Sequence, residues 1–112
     1  MTTPEGQNTL FLKKLCKKLH ITAYKLSFEG TIGAPDWLLM RDGKHILIEL
    51  KAPKRGKLSP PQQRMIDLLS EEGGFEVFVC NNEESIRTAI CWGLFGGMDV
   101  TVSYTHLTLP TT

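Results

Sequence analysis

Asp36, Glu49 and Lys51 stand where the surrounding pattern predicts burial. Asp36 follows Pro35 at the mouth of an apolar run, and Glu49 and Lys51 interrupt the end of the most apolar stretch in the chain, Ile46-Leu47-Ile48. Side chains two apart on a strand share a face, so Glu49 and Lys51 point the same way. Asp42-Gly43 between apolar flanks is a strong two-residue hairpin signal. Counting back from that turn, Arg41 falls opposite Lys44, Leu38 opposite Leu47 and Asp36 opposite Glu49. Two carboxylates and one ammonium then converge at one end of a sheet.

Neighbouring carboxylates repel, and burial adds to that cost. A divalent cation removes the penalty. An all-oxygen site with few carboxylates suits Mg²⁺ or Mn²⁺, which keep waters and phosphate oxygens as further ligands. Such an ion activates water and stabilises charge on phosphorus. Lys51 beside it could hold or deprotonate the water, or stabilise the pentavalent phosphorus. The competing reading is a plain salt bridge at a strand end. The basic loop that follows, with Lys54, Arg55 and Lys57, favours the chemical one.

The elements that must position these residues follow from periodicity. Leu10, Phe11, Leu12, Leu15 and Leu19 predict a helix over 6–19, with Lys13, Lys14, Lys17 and Lys18 on its polar side. A short strand is expected over 21–28, with Tyr24, Leu26 and Phe28 on one face, after which Gly30 and Gly33 punctuate a loop. Strands over 36–41 and 45–51 flank the hairpin turn. Ser59 is a good N-cap with Pro60 at the first helical position, so a helix follows to about Glu72, with Met65, Ile66, Leu68 and Leu69 as its buried stripe. Gly73-Gly74 stops it. A strand over 75–80 and a helix over 82–92 complete the order α-β-β-β-α-β-α. The expected fold class is therefore α/β: one domain over 1–95, a mixed sheet flanked by helices. The uncharged, threonine-rich stretch within 96–112 continues no pattern and receives no role.

Composition narrows the function. The chain has 112 residues, 41% hydrophobic and 22% charged, which suits one globular domain. No apolar run nears the ~20 residues of a membrane span, and no leader pattern opens the chain, so a cytoplasmic location is expected. Cys16, Cys80 and Cys91 form no CxxC pair and read as small buried hydrophobes, while His20, His45 and His106 have no metal-ligand spacing. Trp37 and Trp92 read as core or interface residues. The net charge of +1 conceals an asymmetry: residues 1–64 carry +7 and residues 65–112 carry −6. A basic half points to a polyanion partner.

Pro35-Asp36, twelve residues, then Glu49-Leu50-Lys51 matches the PD-(D/E)XK nuclease pattern. The longer string resembles the virus-type replication-repair nuclease (VRR-NUC) family: Gly33-Ala34-Pro35-Asp36-Trp37, Glu49-Leu50-Lys51-Ala52-Pro53 and Leu58-Ser59-Pro60-Pro61-Gln62-Gln63. The resemblance implies a PD-(D/E)XK nuclease-like domain that hydrolyses DNA with Mg²⁺ or Mn²⁺. It implies that Asp36, Glu49 and the Leu50 carbonyl bind metal, that Lys51 is catalytic, and that Gln62 lies at the site. A glutamate in the first helix, Glu5, completes the metal site in the same way. Lys25, ending the first strand, is placed near the phosphates, and Lys54, Arg55 and Lys57 are candidate DNA contacts. Trp37 departs from the pattern, because arginine is frequent there. Small members of the family act as homodimers on branched or structured DNA. The resulting expectation is a structure-selective, metal-dependent endonuclease of phage-type replication or repair. The alternatives are a non-catalytic nucleic-acid-binding module on the same fold, or an interaction subunit whose basic half meets an acidic protein.

Overall fold

The computed structural model describes residues 4–52 and 57–97, with side chains from residue 6 onward. The order is α1 (Pro4–Lys18), β1 (Thr22–Lys25), β2 (Trp37–Arg41), β3 (Lys44–Leu50), α2 (Pro60–Glu71), β4 (Val77–Cys80) and α3 (Glu83–Leu94). This is the expected α-β-β-β-α-β-α succession, with β1 shorter than its apolar residues suggested. The strands lie in the order β1-β2-β3-β4. The first three are antiparallel neighbours, and β4 joins β3 in parallel after the α2 crossover.

The hairpin fixes the register. Asp42 and Gly43 both take positive φ, 49° and 82°, the backbone that a two-residue turn needs to match strand twist. Arg41 therefore pairs with Lys44, Leu38 with Leu47 and Trp37 with Ile48. The ladder ends at Trp37 and Ile48, and just beyond it the Asp36 side chain meets the Leu50 amide. His20 closes α1 at φ 59°. The Ile21 amide donates to Cys16 O and the His20 amide to Lys17 O, a left-handed cap made without glycine.

One face of the sheet carries the core. Trp37, Leu39, Ile46, Ile48 and Leu50 meet Leu12, Cys16 and Leu19 of α1 and Ile86, Ala89, Ile90 and Leu94 of α3. Gly93 lets α3 lie close on β3, since a Cβ there would run into the Ile46 side chain. The opposite face presents Leu38, Leu47 and Glu49, and α2 approaches it. Here the structure departs from the pattern of apolar residues. No α2 residue is buried: Met65, Ile66 and Leu69 are half-covered and Leu68 is 52% exposed. Amphipathicity marks the apolar side of a helix but not how much protein covers it. Tyr24 is likewise exposed, and Trp92 is 66% exposed rather than part of the core. A shallow hollow of about 490 Å³ on this second face, lined by Leu38, Met40, His45 and Phe75, lies at the hairpin end of the strands, remote from Glu49.

Burial pushes the thiols of Cys16 and Cys80 up to about 12, whereas Cys91 is half-buried. At pH 8 a thiol reagent is expected to label Cys91 in native protein and to reach the other two only on unfolding, which mass spectrometry can count. Thiols of the unfolded chain ionise near the ordinary value of 9.0. The native-state stability tied to these thiols is therefore intact below about pH 9 and falls as pH rises toward 12.

Candidate active site

Three elements end at the site: the mouth of β2, the C-terminal end of β3 and the first turn of α2. Alternation along β3 puts Ile46, Ile48 and Leu50 into the core and turns Glu49 to the other face, where it is only 4% exposed. Asp36, one residue before β2, accepts a hydrogen bond at Oδ2 from the Leu50 amide at 2.7 Å. That bond ties the aspartate to the strand segment between Glu49 and Lys51.

Gln62 joins the remaining parts. Its Nε2 donates to Glu49 Oε2 at 2.7 Å, and its Oε1 accepts from Lys51 Nζ at 2.6 Å. Lys51 Nζ also lies 3.5 Å from Glu49 Oε2. The same Oε1 accepts from the Ser59 amide at 2.9 Å, while Ser59 Oγ accepts from the Gln62 amide at 3.3 Å. One side chain thus completes the capping box of α2 and orients an acid and an amine. Both partners of Lys51 are acceptors, which hold its Nζ between Gln62 and Glu49.

Two supports were not visible in the sequence. Asn8 of α1 is 5% exposed, and its Nδ2 donates to Lys51 O at 3.3 Å and to Asn81 O at 3.0 Å. It fastens α1 to the ends of β3 and β4 behind Lys51. Gly33 has φ +95°, and a Cβ there would come 2.7 Å from Pro61 O and 3.1 Å from Gln62 N. The loop before Asp36 is therefore pressed against the α2 turn that carries Gln62. Gly33→Ala is expected to destabilise the fold by about 2–4 kcal/mol, from left-handed strain plus the clash, as measured by urea unfolding.

Of the other residues singled out, Lys25 Nζ lies 3.9 Å from Asp36 Oδ1. Lys57 is exposed on the approach to α2. Glu5 falls in the first turn of α1, three residues before Asn8, and its side chain lies outside the described residues. Lys54 and Arg55 also lie outside them, as does the tail from residue 98, with His106.

The donor set fits a hard divalent cation. Asp36 and Glu49 offer carboxylate oxygens and Leu50 a backbone carbonyl between Glu49 and Lys51, with no sulfur or imidazole among these donors. Among the described residues no three His, Cys, Asp or Glu side chains gather into one metal-holding group. Two carboxylates and a carbonyl suit an ion that keeps several waters, as Mg²⁺ does, and not an all-protein cage.

No curated protein matches the sequence. Among solved structures, one described as a VRR_NUC domain superposes with a TM-score of 0.72 at 30% identity, covering 80% of this chain and 96% of that one. The family's sequence profile, described as the VRR-NUC domain, matches residues 5–84, a span that holds every site element described above. With its hairpin, crossover helix and acid-acid-lysine end all inside that span, the chain belongs to the VRR-NUC family and has its nuclease-type fold.

Proposed function

We propose that the protein is a Mg²⁺- or Mn²⁺-dependent DNA endonuclease, selective for branched or structured DNA and acting as a homodimer in phage-type replication or repair. The observation that carries this reading is the Gln62 bridge between Glu49 and Lys51, beside an Asp36 anchored to the Leu50 amide. A salt bridge serving stability alone would not need a third side chain to orient both partners, nor a second carboxylate brought to the same strand end.

In this reading Asp36, Glu49 and the Leu50 carbonyl hold the cation, with Glu5 as a further ligand from α1. The cation, when bound, lowers the pKa of a water and neutralises charge on the phosphate. Glu49 is held in place by the Gln62 amide. Lys51 donates from Nζ toward a phosphate oxygen or holds the attacking water, with Gln62 Oε1 fixing its direction. Lys25, Lys54, Arg55 and Lys57 contact flanking phosphates, which position the substrate without reading bases. Among the described residues no helix is long and apolar enough to cross a membrane.

The test is incubation with four-way, splayed and linear DNA, with and without Mg²⁺ or Mn²⁺. Metal-dependent cleavage favouring the branched forms is expected. Tight, salt-sensitive binding with no cleavage in either metal would instead identify a binding module.

A further inference from the structure

Of the phosphate contacts proposed above, Lys57 lies on the approach to α2, and Lys25 stands at the other end of the site, beside Asp36. The β1 side is built differently. Trp37 opens β2 and pairs across the ladder with Lys25 of β1. Its ring is buried, yet two ammonium groups stand over it: Lys25 Nζ at 5.5 Å from the centroid and Lys13 Nζ of α1 at 5.8 Å. The electron-rich face of an indole is the strongest aromatic seat for a cation. Helical side chains lean toward the helix N-terminus, and the N-terminal half of α1 is the part that Asn8 fastens behind Lys51. Lys13 reaches the Trp37 ring from α1, although its sequence position marks only a solvated helix face.

Lys25 also reaches to within 3.9 Å of Asp36 Oδ1. Lys13, Trp37, Lys25 and Asp36 thus form a continuous series from α1 to the first carboxylate. Two exposed lysines of like charge normally splay apart to reduce repulsion. Here a neutral ring gathers both, and among the described residues no carboxylate lies within ion-pair distance of Lys13. Lys25 has the Asp36 carboxylate beside it, whereas the charge of Lys13 is set over the ring alone, which suits an anion supplied from outside.

We propose that Lys13 and Lys25, gathered over Trp37, seat a backbone phosphate of DNA next to the one held at Asp36 and Glu49. The strand then crosses the end of the sheet from β1 to α2, with basic groups on both sides of the carboxylates. The direction of that path rests on the nuclease reading, but the phosphate seat is measurable by binding alone.

The experiment measures affinity for a short duplex across a salt series, with Ca²⁺ replacing Mg²⁺ and a denaturing gel confirming intact strands. The proteins are wild type, Lys13→Gln, Lys13→Arg and, as a control at the hairpin end, Lys44→Gln. Loss of one phosphate contact lowers the log–log salt slope by about one and weakens binding about five-fold at ~0.15 M salt. That change is expected for Lys13→Gln, with Lys13→Arg and Lys44→Gln close to wild type. An unchanged slope in Lys13→Gln, an equal drop in Lys44→Gln, or no duplex binding by wild type would each overturn the seat. Failure of the nuclease reading looks different: the slope difference persists while Mg²⁺ and Mn²⁺ produce no cuts.

Discussion

Asp36→Asn is expected to reduce metal-dependent cleavage by at least about 10³-fold while leaving the fold intact, several kcal/mol of transition-state stabilisation being the usual contribution of a metal site. The asparagine oxygen can still accept the Leu50 amide bond that Asp36 Oδ2 now accepts at 2.7 Å. What disappears is the negative charge that would hold the cation. Single-turnover cleavage on the best branched substrate reads the loss, and a thermal melt reads the fold. Binding to duplex DNA without metal should strengthen slightly, since one phosphate-repelling charge is gone. Cleavage that survives in this variant would place the chemistry elsewhere.

Lys51→Met should cost about 10²–10⁴-fold in the cleavage step, the range for a positioned proton donor or electrostatic stabiliser. The methionine keeps the apolar stem of lysine, ending one atom short, and leaves Gln62 Oε1 and Glu49 Oε2 without the ammonium that now lies 2.6 Å and 3.5 Å away. Gln62 Oε1 retains its bond from the Ser59 amide at 2.9 Å, so α2 should stay capped. A fall in the single-turnover rate with little change in DNA affinity is the expected pattern. An equal fall in both would mean that Lys51 serves ground-state binding alone.

The part of the site that the sequence made legible is the part governed by strand arithmetic. Asp42-Gly43 specifies a turn, the turn specifies a register, and alternation decides which residues share a face. Arg41 against Lys44 and Leu38 against Leu47 follow from that counting. Ser59 and Pro60 announced α2 through local capping chemistry in the same way. What stayed hidden depends on contacts between segments far apart in the chain. Asn8 meets the carbonyl of Lys51 across 43 positions and that of Asn81 across 73. Gly33 needs its missing Cβ because of the Pro61 carbonyl, and Lys13 finds Trp37 only once α1 is packed. The exposure of Leu68 and Trp92 was hidden for a related reason: a sequence shows which side chains avoid water but not whether enough chain exists to shelter them.

The Asp42-Gly43 turn also limits how this protein can diverge. Residues added to the hairpin tip in pairs, one to each strand, lengthen the ribbon and keep both acids on the same side. A single extra residue absorbed into the pairing of one strand reverses the parity of everything beyond it and carries one acid to the helix-packed side. Length variation among functional relatives should therefore come in even steps, with odd steps tolerated only where a bulge or a longer loop takes up the extra residue.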